Sequence, residues 1–145
     1  MNPHIILRVV GKFLIPLIVV FALYVHFHGE VGAGGGFQAG VIFASAVILY
    51  ALLFGLEAAK RAVPPSWVRI GMMLGVLLYG GTGVVTWLLG ENYLSYDVLG
   101  PVAYKGQHYG IIAVELGVLF AVASVMIGIY YAFGSRQAEL DDEDW

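Results

Sequence analysis

The sequence predicts an all-α membrane protein of four transmembrane helices, with both termini in the cytoplasm and a short acidic C-terminal tail. Three observations carry this. Hydrophobic residues fill 60% of the 145 positions and charged residues 12%, against roughly 45–50% and about 25% in an average soluble domain. The apolar residues gather into four runs of the length, about 20 residues, that a hydrocarbon layer about 30 Å thick requires of a helix. Lysine and arginine then collect on one side of those runs: Arg8, Lys12, Lys60, Arg61, Arg69 and Arg136 against Lys105 alone. Positively charged short loops stay in the cytoplasm.

The four runs take up most of the chain and leave too little sequence for a second core. The expectation is one transmembrane domain over residues 1–135, followed by a tail over 136–145. The formal net charge of −3 belongs to that tail, where Glu139, Asp141, Asp142, Glu143 and Asp144 cluster. Nucleic-acid binding therefore has no support. The absence of cysteine rules out disulfides, thiolate metal sites and cysteine nucleophiles.

The first run covers residues 9–27, with Lys12 near its entrance, placed to snorkel toward the interface, and Pro16 one turn inside. Its basic start and the segment Val31-Gly32-Ala33 resemble a cleavable signal. The run is long for one, however, and leads into another span rather than a soluble domain, so it is expected to be retained. A glycine-rich stretch over residues 28–37 suits a tight hairpin. The second run, 37–56, and the third, 70–89, contain no charged residue. Between them Pro64-Pro65-Ser66-Trp67 reads as a stop followed by a helix start, with Ser66 as N-cap. A loop over 91–108 holds Asp97, Lys105, Tyr93, Tyr96 and Tyr104. The fourth run, 109–133, is interrupted by a single carboxylate, Glu115. Trp67, Trp87, Tyr130, Tyr131 and Phe133 mark the membrane interfaces.

In the fourth run Gly110, Ala113, Gly117, Ala121, Ser124 and Gly128 form a stripe of small side chains that lets another helix approach closely. At 3.6 residues per turn Glu115 projects on roughly the opposite side, shared with His108 two turns earlier. Both faces of this helix therefore require protein contact. A carboxylate turned to lipid is expensive, so a partner subunit or a water-filled cavity is implied for it. Gly71, Gly75 and Gly80-Gly81-Thr82-Gly83 give the third run closely packable surfaces of its own. No pore-lining set of charges is present, which argues against a self-sufficient transporter.

Glu115 is the main chemical candidate, since a carboxyl group in a low-dielectric setting can carry a proton at physiological pH. The plainer alternative is a wet position at the outer boundary, because the residues after it already supply a membrane-spanning length. Gln107 and His108 could continue a hydrogen-bonded path outward, or cap the helix start. His26, His28 and Glu30 make a short H-x-H-x-E pattern; without a further ligand cluster it reads as an interfacial belt, and no metal or cofactor site is expected. No nucleophile or nucleotide loop points to an enzyme.

Several segments together resemble the B subunit, or MnhB-type domain, of multisubunit Mrp-type sodium/proton antiporters. They are residues 34–42, opening Gly34-Gly35-Gly36-Phe37-Gln38, then Tyr96-Asp97-Val98-Leu99, and Gly106-Gln107-His108-Tyr109-Gly110 followed by Val114-Glu115-Leu116-Gly117-Val118. One departure is Ala33, where the family usually has proline. The resemblance implies a non-catalytic, multi-pass subunit of the bacterial cytoplasmic membrane. It would work with other membrane subunits in exchanging sodium ions for protons across the lipid bilayer. Glu115, His108, Gln107 and Asp97 are then candidates for an ion or proton route, and Gly34, Gly35, Gly36, Phe37, Gly117 and Ala121 for subunit packing. The alternatives are a structural subunit of a related hydrogenase-like complex and an independent small channel or carrier.

Overall fold

The computed structural model describes residues 5–29 and 32–137. The chain forms α1 (Ile5–Phe27), α2 (Gly36–Phe54), α3 (Leu56–Ala62), α4 (Pro65–Leu88) and α5 (Ala103–Gln137), with a 3-10 turn at Tyr96–Leu99 before the last helix. No strand occurs among the described residues. Helices α1, α2, α4 and α5 are each long and apolar enough to cross a membrane, as the composition requires.

The boundaries differ from the sequence reading in ways that have local causes. α1 begins at Ile5 and takes Arg8 and Lys12 into the helix. The Lys12 ammonium lies 6.0 Å from the centre of the Phe54 ring, at the far end of α2. α2 ends at Phe54 because Gly55 turns the chain with φ at 95°, and residues 56–62 then make the separate short helix α3. α4 starts at Pro65, with Pro64 and not Ser66 as N-cap. A proline at the first helical position loses no hydrogen bond and arrives with a helical φ, while the Pro64 carbonyl accepts from the amides of Trp67 and Val68. α5 has 35 residues, about 52 Å of helix at 1.5 Å per residue, against about 30 Å of hydrocarbon. It is therefore longer than an untilted crossing requires. At its other end it includes Arg136 and Gln137, the first two residues expected in the tail; the acidic cluster itself lies outside the described residues.

In space the four long helices form a row, α1–α2–α5–α4. α1 packs on α2, α2 on α5, and α5 on α4. The two inner contacts depend on small residues. Along α2, Gly36, Gly40 and Ala44 are buried. A Cβ at Gly36 would fall on the Glu115 carbonyl oxygen, and one at Gly40 would stand 3.0 Å from that of Leu119. Between α4 and α5, a Cβ at Gly75 would lie 2.5 Å from the Ala121 amide and one at Gly117 2.9 Å from the Gly75 carbonyl. Gly71 meets the Ser124 side chain in the same seam. The backbones thus approach as closely as membrane helices do at small residues.

The two ends are tied separately. At the end rich in lysine and arginine, Tyr131 is buried and donates its hydroxyl to the Val63 carbonyl at 3.0 Å. The sequence placed Tyr131 in the interfacial belt; it turns inward because that carbonyl, beyond the end of α3, needs a donor. At the other end Tyr93 packs on Gly83 and Tyr96 on Gly110. Thr86, fully buried, donates to the Gly83 carbonyl at 2.8 Å and accepts the Leu94 amide at 3.0 Å. That bond holds Leu94 at φ 65°, a left-handed conformation uncommon outside glycine.

Candidate functional site: a carboxylate over the glycine hairpin

The hairpin after α1 folds back through backbone hydrogen bonds. The amides of Gly29 and Gly35 donate to the carbonyls of His26 and Val25, at 3.3 and 3.2 Å. Gly35, the N-cap of α2, has φ at 117°, a conformation that L side chains rarely adopt. Glycine is also required on the inner side of the turn. A Cβ at Gly29 would come within 2.8 Å of Glu115 Oε1, and one at Gly35 within 3.2 Å. The carboxylate of α5 thus rests in the concave side of the hairpin, beside the first residues of α2.

This arrangement has an electrostatic sense. The first amides of a helix have no partner within it, and the N-terminus carries a partial positive charge. Among the described residues no side chain caps α2 through a hydrogen bond, and the Glu115 carboxyl group lies at that end. Glu115 is half-buried. The sequence left it to a partner subunit or a water-filled cavity; the structure sets it against its own chain. Gly34, Gly35 and Gly36 likewise have contacts within the chain, with Val25, Gly29 and Glu115, and Gly117 and Ala121 lie in the α4–α5 seam. Phe37 points outward and is 63% exposed.

Of the other candidates, Gln107 and Asp97 are brought together: Gln107 Nε2 donates to Asp97 Oδ1 at 2.8 Å. The turn carrying Asp97 is packed on α5 by Gly106, where a Cβ would lie 2.7 Å from the Asp97 carbonyl. Burial pushes the Tyr96 phenol in the same turn above its usual pKa, with Tyr79 and Tyr93 adding to the shift. His108 is exposed on the same helix, two turns or about 10 Å along the axis from Glu115. Glu115, His108 and the Gln107–Asp97 pair therefore succeed one another toward the start of α5.

Glu30 of the H-x-H-x-E pattern lies outside the described residues. His28 stacks on Tyr24 with ring centres 4.8 Å apart. His26 is not part of an exposed belt: it is 3% exposed, and its Nδ1 has no hydrogen-bond partner among the described residues. Sequence reasoning missed that burial, the cradle contribution of Gly29 and the relay at Thr86. The alternation of Gly36, Gly40 and Ala44 was the available signal for the α2–α5 seam, and no local pattern marks the others.

The chain belongs to the family described as "Domain related to MnhB subunit of Na+/H+ antiporter", whose model matches residues 6–128. Curated relatives agree. Proteins of Staphylococcus aureus strains Newman and COL, each named "Putative antiporter subunit mnhB2", are 35% identical to it over 128 residues, covering 86% of this chain and 90% of theirs.

Proposed function

We propose that this chain is a non-catalytic subunit of a multisubunit sodium/proton antiporter in the bacterial cell membrane, and that Glu115 is the group through which it takes part in proton movement. The observation that carries the second half is the seating of an ionisable carboxylate in a glycine cradle, beside the start of α2. Nothing larger than glycine fits at Gly29 or Gly35 without disturbing that carboxylate. In the proposed route, protons reach Glu115 from the start of α5 by way of the Gln107–Asp97 pair and His108, with water filling the gaps. The hairpin end faces outward, in keeping with the lysines and arginines at the opposite end. The remaining subunits supply the cation path.

The test is Glu115→Gln, which keeps size and removes the charge. Antiport in membrane vesicles is expected to fall at least tenfold, the low side of the roughly 10²–10⁴-fold range for losing a proton-transfer group being relaxed here for a partial route. The amount of assembled complex should stay at its normal level. Full antiport at that level would remove the proton role and leave a subunit that only braces the complex.

A further inference from the structure

Arg69 stands one turn inside α4, at the end of the molecule that also holds Lys60, Arg61 and Arg136. Its side chain is exposed and has no ion pair among the described residues, whereas Lys60 pairs with Glu57 at 3.2 Å. Two apolar grooves begin beside it. One, of about 570 Å³, lies on α4 alone and is lined by Ser66, Arg69, Ile70, Met72 and Met73. The other, of about 500 Å³, lies between α4 and α5, where Arg69 and Met72 are joined by Val125, Gly128 and Ile129. Met72 is the ridge between the two, since it leans on α5: a Cβ at Gly128 would come within 2.7 Å of its Cε.

We propose that Arg69 and these two grooves bind one anionic phospholipid of the inner leaflet, its phosphate on the guanidinium and one acyl chain in each groove. The inference does not depend on the proton route through Glu115. Charge is the first observation that selects this occupant. A guanidinium meets phosphate in a bidentate fork, and the end rich in lysine and arginine faces the leaflet where anionic lipids gather. Direction is the second. Helical side chains lean toward the helix N-terminus, so Arg69 lays its apolar stem along the groove and carries its charge toward the interface. Height is the third. From Ser66 to Met73 on α4, and from Val125 to Ala132 on α5, the helices rise about 10 Å. Both grooves therefore end within one leaflet of a hydrocarbon layer about 30 Å thick, as acyl chains do. A spanning helix would follow α4 across the whole layer, and to satisfy Arg69 it would need a carboxylate at lipid depth, where such groups are rare. Two grooves that meet at one cation match the two chains of a phospholipid.

The experiment supplies membranes that hold the full chain and its native partners with phosphatidylglycerol bearing a diazirine in one acyl chain, or with phosphatidylcholine labelled in the same way. After irradiation the adducts on this chain are mapped by mass spectrometry. Phosphatidylglycerol is expected to label the peptides of Met72 and Met73 and of Val125 to Ile129 about fivefold more than phosphatidylcholine does, the roughly 1 kcal/mol that one basic residue contributes near an anionic surface. Arg69→Gln should bring that ratio to about one. Arg69→Lys, which keeps the charge, should retain a preference and shows that the site itself tolerates substitution. Equal labelling by the two lipids, or a ratio unchanged in Arg69→Gln, overturns the inference. So does the absence of adducts on these peptides from either lipid, the result expected if another subunit or a second copy covers this face of α4.

Discussion

α5 and α1 are both apolar helices of the same membrane protein, yet they are held in different ways. In α5 a third of the spanning window is buried, and in α1 only 11%. α5 meets α2 and α4 through glycines whose missing side chains let backbones touch, as at Gly36 and Gly75. α1 packs mainly on α2 and turns Phe13, Leu17 and Phe21 outward. In water that exposure would be intolerable; in lipid it costs little, because the tails are as apolar as the side chains. Close packing in a membrane therefore marks where the chain itself requires a contact. Large exposed side chains mark where lipid or another subunit supplies it.

Substitutions that fill the seam test this most strongly. Gly36→Val and Gly75→Val each push a side chain into the backbone of α5 and should destabilise the isolated subunit by about 1–3 kcal/mol, the usual cost of overpacking. Thermal unfolding of the detergent-solubilised subunit checks this, and a wild-type midpoint would mean that the seam is looser than its distances imply. Phe13→Val on the lipid side of α1 should leave the same midpoint where it was.

Thr86→Val is a subtler probe, since it keeps the volume and removes the acceptor of the Leu94 amide. A loss of about 1–3 kcal/mol is expected for leaving that group unpaired. Faster proteolysis in the loop between α4 and α5 would show that the strained turn had been released.

The smallest effect comes from within α4 itself. A Cβ at Gly80 meets nothing within 4 Å, so Gly80→Ala should stabilise the isolated subunit by up to about 1 kcal/mol, the ordinary helix preference for alanine over glycine. If the same change instead lowers recovery of the whole complex, Gly80 belongs to a second seam, made with another subunit. That outcome would sharpen the contrast, because glycines at 75 and 80 would then serve an internal and an external contact on one helix.

Much of the fold is legible in the sequence. The four spans, the hairpin and the side holding Arg8, Lys60, Arg61, Arg69 and Arg136 follow from run length and charge position alone, which are one-dimensional properties. Glu115 stood out for the same reason, as one carboxylate in an otherwise uncharged run. What surrounds it was not legible. Its seat is made by Gly29 and Gly35, about 80 residues earlier in the chain, and helical periodicity assigns Glu115 a face without saying what fills the space opposite. His26 shows the same limit. Beside His28 in sequence it looked like part of an interfacial belt, and only the approach of the other helices buries it.

The sequence by itself determined the solvent, the number of crossings and the family, because a hydrocarbon layer imposes length, composition and charge rules that each segment must meet on its own. The tertiary structure alone decided that the helices stand in a row, that the hairpin cradles Glu115 and that Thr86 anchors the turn at Leu94. Those are contacts between segments far apart in the chain. In a bilayer they are selected by close fit between surfaces, since no hydrophobic force distinguishes one apolar face from another.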